Sequence, residues 1–356
     1  MATVKSRLCC FFILCLIILG SLRAGAAAGH AGPLQDRHHA PWDSEVAWSQ
    51  SFSAGGATIQ IDVAPGNLDL SRGQVVQWIE TAANAVSEYY GSFPVPRERV
   101  LVVPVPDGRG VMSGTTWGAV DGFPAFSKMR LGQHTTQQDL TDDWTMTHEF
   151  VHTALPSLSD DHHWLEEGLA TYVEPIARAQ LGTLSPQYVW QETVEGMPKG
   201  EPQPGEQGLD RTHTWASTYW GGALFCMMAD ITIREKTANQ KGLQDALRGI
   251  LAAGGSIAVD WPISKVIAAG DRATGTSVLA DLYRKMGQAS YAPVDLDALW
   301  KRLGIHSQNG EVIFDNRAPL AGIREAITKP VSNPAGPGSS SGPRIAVPRT
   351  KVSARS

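Results

Sequence analysis

Cysteine is nearly missing from this chain of 356 residues: there are four, and Cys9, Cys10 and Cys15 crowd into one apolar run near the start. Cys226 is alone in the remainder. A single thiol closes no internal disulfide, so the core has to rest on packing. Long apolar runs are scarce as well. The run at 8–22 falls short of the roughly 20 residues a spanning helix needs. Charge is mild, with a formal net charge of -5 and no basic stripe, aromatic–basic interleaving or zinc-finger spacing. Nucleic acid is thereby set aside as a partner. No internal repeat is visible.

The apolar run is instead the core of an export signal. Lys5 and Arg7 precede it, Arg23 closes it, and Ala24-Gly25-Ala26-Ala27-Ala28 offers small residues for cleavage. Residues 1–28 are therefore expected to be removed, leaving an exported protein, periplasmic or secreted, with no stable membrane span. An uncleaved anchor is the alternative. Leu14 before Cys15 does not suit a lipidation site.

Downstream, residues 29–43 read as a flexible leader rich in Gly, His and Pro. Residues 44–138 read as a β-rich N-terminal lobe, with strands between 45 and 63, at 100–105, 111–120 and 123–129. The last two are joined by Asp121-Gly122, a strong hairpin signal. A helix opens at Ser71 and runs to about Tyr90, with Val75, Trp78, Ile79, Ala82 and Val86 at helical spacing. Residues 139–328 read as a helical lobe, with helices expected at 142–155, 163–180, 213–236, 241–252, 275–287 and 295–302. The tail, 329–356, is rich in Pro, Ser and Gly and is expected to be disordered. Strands followed by helices give an α+β protein with two lobes.

Chemistry concentrates at His148-Glu149-Phe150-Val151-His152. Histidines four apart on a helix share a face and can point at one ion. Glu149, one residue on from the first histidine, can reach a water beside that ion and act as general base. Two histidines leave a catalytic zinc site one protein ligand short. A metzincin would place glycine and a third histidine where Leu155 and Leu158 stand.

The chain continues Trp164-Leu165-Glu166-Glu167-Gly168-Leu169-Ala170-Thr171-Tyr172-Val173-Glu174. This resembles the W-L-x-E-G-x-A-x-Y-x-E helix of the gluzincin zinc metallopeptidases, found in aminopeptidase N relatives and in the glycyl aminopeptidase family. The resemblance implies a thermolysin-like catalytic domain and Zn2+ held by His148, His152 and Glu167. Spacing alone leaves Glu166 a competitor, and the position of Gly168 favours Glu167. Glu174, about two helical turns on, is either an orienting partner for a metal histidine or a surface glutamate. Thr218-Tyr219-Trp220-Gly221-Gly222 resembles the Y-x-K-G stretch whose tyrosine faces the developing oxyanion, with Gly221 standing where the family has lysine. Tyr219 is the implied catalytic donor and His213 its rival. The stretch 229–247 is similar to the glycyl aminopeptidase family in particular. The G-x-M-E-N strand that grips a free amine in aminopeptidase N relatives has no acidic counterpart in Gly110-Val111-Met112-Ser113-Gly114-Thr115-Thr116-Trp117-Gly118.

The resemblance thus implies a zinc-dependent peptidase acting on peptide or protein substrates, an aminopeptidase or an endopeptidase. The strand at 111–118 would border the substrate cleft. A gluzincin-fold binding protein of the cell envelope, without turnover, is the competing reading.

Overall fold

The structure, a computed structural model, describes residues 42–290 and 293–330. The expected export signal, the leader up to residue 41 and the tail from residue 331 lie outside the described residues. Among the described residues no helix is long and apolar enough to cross a membrane. Trp42, placed in the leader, packs against the sheet beside Phe126 and lends its carbonyl to Arg99.

Strands β1 (Trp48–Ala54) and β2 (Ala57–Val63) form a hairpin closed by Gly55-Gly56. Both glycines have positive φ, 53° and 83°, as a two-residue hairpin turn demands. Helix α1 (Arg72–Tyr90) starts where Ser71 and Gln74 cap one another reciprocally and stops at Gly91 in the left-handed conformation. Its apolar stripe is buried along its whole length. Strands β3 (Arg97–Val105), β4 (Val111–Val120) and β5 (Phe123–Gly132) complete a five-stranded sheet in the order β1-β2-β3-β5-β4. β3 runs parallel to both its neighbours, β2 and β5. That central position explains its continuous apolar run, 100–103, where an exposed strand would alternate. β4 lies at the edge, antiparallel to β5.

The side-chain period of two divides the sheet residues between two cores. Ile59, Ile61, Val100, Val102 and Met129 join α1 and the later helices in the large core. Leu101 and Phe126 face the other way, under Trp42, Val103 and Trp117. Each such fully buried side chain contributes about 1.5–3 kcal/mol relative to exposure.

After the sheet the chain is helical: α2 (Gln137–Asp142), α3 (Thr145–His152), α4 (His163–Leu181), α5 (Pro186–Gly196), α6 (Gly222–Lys236), α7 (Leu243–Ala252), α8 (Ile263–Thr274), α9 (Val278–Leu282), α10 (Leu296–Leu303) and α11 (Ala321–Thr328), with a small hairpin of β6 (Ile305–Gln308) and β7 (Glu311–Phe314) before the last. The fold is thus mixed α and β, sheet first and helices after. Several expected bounds move. The helix expected at 142–155 is confined to α3, because the Asp143 carboxylate takes the N–H groups of Thr145 and Met146 and starts the helix there. The helix expected at 213–236 begins at Trp215 and passes through a π turn at Ser217–Gly221 before α6. The helix expected at 275–287 begins at α9, because Gly275 is the left-handed C-cap of α8 and Asp271 caps Leu279 and Ala280.

Candidate metal centre

Helix α3 carries His148, Glu149 and His152 on one side, while Phe150 and Val151 anchor the other in the core. Its first turn is pinned from α1, where the Trp78 indole donates to Asp143 at 2.9 Å. Helix α4 crosses close by and delivers Glu167. The His148 Nε2 to Glu167 Oε2 distance is 3.1 Å and His152 Nε2 lies 3.8 Å from the same oxygen. One ligand atom from each of the three lies within 4.8 Å of the others. A tetrahedral ion with bonds of 2.0–2.1 Å would hold its ligand atoms about 3.3 Å apart. The spacing and the donor set, two imidazoles and one carboxylate, therefore fit zinc.

Glu166 is occupied elsewhere. Its carboxylate accepts the Leu158 N–H at 3.0 Å and meets His163 Nδ1 at 3.1 Å, tying the loop between α3 and α4 to the helix. His163, a residue the sequence reading passed over, also places Nε2 3.4 Å from Glu167 Oε1. Its position four residues before Glu167 on a helix was the available signal. Burial alone would push the Glu167 carboxyl above its usual range, but His152 and His148 outweigh it and hold the carboxyl at about 2. The carboxylate is charged in this setting, as a metal ligand must be.

Glu149 lies against β4. Thr116 Oγ1 donates to Glu149 Oε2 at 2.8 Å, and a Cβ on Gly114 would sit 2.6–2.8 Å from the Glu149 side chain. Gly118, two further residues along the same face, would likewise collide with the Ile257 backbone. Small residues at alternate positions thus let α3 and the loop after α7 lie directly on the strand. Burial pushes the Glu149 carboxyl above its usual range, opposed by His152 and by the Thr116 hydroxyl.

Two more glycines set the other wall. A Cβ on Gly168 would fall 2.2 Å from Gly222, and one on Gly222 would fall 2.0 Å from the Trp164 carbonyl. Gly168, directly after Glu167, and Gly222, three residues after Tyr219, therefore face each other where α4 crosses the start of α6. That contact brings the Tyr219 ring over His148, stacked at 6.4 Å between centroids. Trp215, 64% exposed, also stacks on Tyr219, at 5.8 Å, so Tyr219 is not part of a closed aromatic core. His213 is exposed on the preceding loop. Gly221 packs against Leu209, and a Cβ there would lie 2.7 Å from the leucine Cδ2. Trp144, 48% exposed, meets the edge of His148 at 5.3 Å.

Glu174 takes neither role expected of it. It is buried, and its carboxylate accepts from Arg178 at 2.9 Å on the same helix. Arg178 in turn reaches the Thr141 carbonyl and so fastens α4 to α2. Burial pushes the Glu174 carboxyl up to about 7 despite the arginine.

No family model and no curated protein matches this chain. Solved structures do. An aminopeptidase N family protein from Idiomarina loihiensis matches with a TM-score of 0.54 and 13% identity, over 73% of this chain and 50% of that one. An M1 zinc metallopeptidase from Deinococcus radiodurans gives a TM-score of 0.45 and 14% identity, over 69% and 53%. The chain spans about half the length of each. Its fold is accordingly one shared with part of an aminopeptidase N family protein.

Proposed function

We propose that the protein is a zinc-dependent peptidase, with His148, His152 and Glu167 as metal ligands, Glu149 as general base and Tyr219 as oxyanion donor. The observation that carries this reading is the convergence of a His-His-Glu cluster with a separate carboxylate held on Thr116 beside it. A structural zinc site has no use for that second carboxylate, which weighs against a binding protein without turnover. When bound, zinc supplies Lewis-acid polarisation of a carbonyl and a more acidic water. Glu149 takes the proton of the attacking water and moves it to the leaving amine. Its raised affinity for protons, a consequence of burial, suits both halves of that transfer. Tyr219 offers a phenol on the His148 side of the cluster, where it can stabilise negative charge as it develops.

Substrate would lie along β4, whose outer edge pairs with no strand among the described residues. An extended peptide can add there as a further strand, with its scissile bond over Glu149. The segment 110–118 offers no carboxylate for a free amino terminus, which supports cleavage of internal bonds over removal of terminal residues. The likeness of 229–247 to glycyl aminopeptidases pulls the other way, so paired peptides with free and blocked amino termini discriminate the two. The export signal would place the activity in the periplasm or outside the cell.

The test is metal analysis with a peptide-library digest of the mature protein. About one zinc per chain is expected, lost in His148→Ala, His152→Ala and Glu167→Ala and kept in Glu166→Ala. Glu149→Gln should keep the metal and the fold while turnover falls roughly 100- to 10,000-fold. Near-normal turnover in Glu149→Gln would sink the assignment of the base.

A further inference from the structure

Behind the proposed base runs a line of oxygen atoms that leads away from the metal cluster into the sheet. Thr116 Oγ1 is 2.8 Å from Glu149 Oε2 and 2.8 Å from Ser127 Oγ, and Ser127 Oγ is 2.5 Å from Glu98 Oε1. The sheet register makes this possible. Thr116 on β4 stands directly opposite Ser127 on β5, and Ser127 stands opposite Val100 on β3, two residues from Glu98. Ser127 and Glu98 are completely buried.

The proton count of this line does not close on its hydroxyls. Three short oxygen–oxygen contacts need three protons, and Thr116 and Ser127 carry one each. If Thr116 donates to Glu149 and Ser127 to Glu98, two hydroxyl oxygens face each other at 2.8 Å with nothing between them. Turning Thr116 toward Ser127 instead removes the donor from Glu149. A third proton on the carboxyl at either end makes all three contacts hydrogen bonds. Glu98 is the site for it on two grounds. Its Oε2 is buried without a partner among the described residues, which a neutral acid's carbonyl oxygen tolerates far better than a carboxylate oxygen does. Burial, joined by the negative charge of Glu149, also outweighs the Ser127 hydrogen bond and pushes the Glu98 carboxyl up to about 8.

We propose that Glu98 is a positioning residue: a neutral, buried carboxylic acid that donates to Ser127, which donates to Thr116, so that the Thr116 hydroxyl is locked as a donor to Glu149. The role assigned to Glu149 rests on the peptidase reading above. The line itself does not. Glu98 touches no reacting atom; it acts by deciding which way two hydroxyl groups point.

The test uses the zinc-loaded mature protein. Thr116→Val and Ser127→Ala each remove a link with little change of volume. Each should lower kcat roughly tenfold with KM nearly constant, the loss of one hydrogen bond to a charged group that matters in the transition state. The double variant should lose little more than either single one, because both break the same line. Glu98→Leu should show the same loss, and Glu98→Gln, whose amide N–H can donate to Ser127, should recover most of it. Independently of activity, the infrared spectrum of the wild type should contain the carbonyl band of a neutral carboxylic acid that disappears in Glu98→Gln. Additive losses in the double variant, or equal losses in Glu98→Leu and Glu98→Gln, would overturn the proposal. So would an active wild type whose spectrum shows no such band. Were Glu98→Leu unable to fold, the Thr116 and Ser127 variants and the Glu98→Gln spectrum still decide. A wild type with the band and no peptidase activity would support the buried acid and refute the peptidase reading alone.

Discussion

Glu98 and Arg99 are neighbours on β3, and the strand's alternation sends them to opposite faces of the sheet. On Arg99's face a buried carboxylate is fully supplied: Asp62 receives Arg99 at 2.6 Å, Ser49 at 2.6 Å and the Gln60 amide. On the other face Glu98 meets one hydroxyl, and the charge acting on it is the negative one of Glu149. Burial raises both carboxyls, but at Asp62 the hydrogen bonds and the guanidinium win and bring it below its ordinary value. At Glu98 burial wins. Two buried acids in one sheet are thus fitted for different work. The ion pair fastens β2 to β3 and the packed Phe126 beneath it. The neutral acid lies on the face that leads to Glu149.

If that division is right, damage on the two faces should be read by different instruments. The largest effect belongs to the site. Tyr219→Phe keeps the ring stacked on His148 and removes only the hydroxyl, and kcat should fall roughly 100- to 1000-fold with KM little changed. An equal loss in His213→Ala, with normal turnover in Tyr219→Phe, would move the oxyanion role to the exposed histidine. Next comes the ion pair. Asp62→Ala strands the Arg99 guanidinium in the sheet and should cost about 3 kcal/mol of stability in a urea titration. Its kcat in the folded protein should stay near wild type. A kcat loss as large as that of Thr116→Val would erase the contrast between the faces.

The sharpest test is one of direction, because the two acids predict opposite pH dependence. Asp62 is depressed in the fold, so its stabilisation is present above its unfolded value near 3.8 and is lost as pH falls through the lower folded value. Glu98 is raised from 4.5 to about 8, so its contribution is complete below the unfolded value and drains away as pH rises toward the folded one. Across that window it can tilt stability by up to about 1.4 kcal/mol per pH unit. Unfolding midpoints measured against pH should therefore flatten on the alkaline side in Glu98→Gln and on the acid side in Asp62→Asn. Parallel curves for Glu98→Gln and wild type between pH 5 and 8 would mean that Glu98 is ionised in the fold.

Local rules were enough where the signal was local. The Ser71 cap, the apolar stripe of α1 and the Asp121-Gly122 turn sit in the sequence where the structure has them. Other elements also carry local signals. Ser185-Pro186 opens α5 as N-cap and first helical residue, and Asn309-Gly310, both at positive φ, close the hairpin of β6 and β7. Helix α8 lies between the expected helices, and its Gly270 is packed against Leu279, a contact no local pattern announces. The π turn at Ser217–Gly221 is likewise invisible to a 3.6-residue period, which does not anticipate an inserted residue.

The sequence by itself determined the groups on offer at this site: a histidine pair at helical spacing, a carboxylate beside it, and a glutamate and a tyrosine each followed closely by a glycine. The histidine pair could be read this way because its relation runs along one helix, where spacing fixes direction; the glutamate and the tyrosine rested on the resemblance. Only the tertiary structure decided which of two adjacent glutamates meets the histidines, because Glu166 is drawn off by the Leu158 N–H across the loop. It alone gave the glycines their purpose, since Gly168 and Gly222 matter through a helix crossing between residues far apart in the chain. And it alone assembled Glu98, Ser127 and Thr116 into one line. Those three lie on three strands, and hydrogen bonds between strands depend on register, which no single strand's sequence specifies.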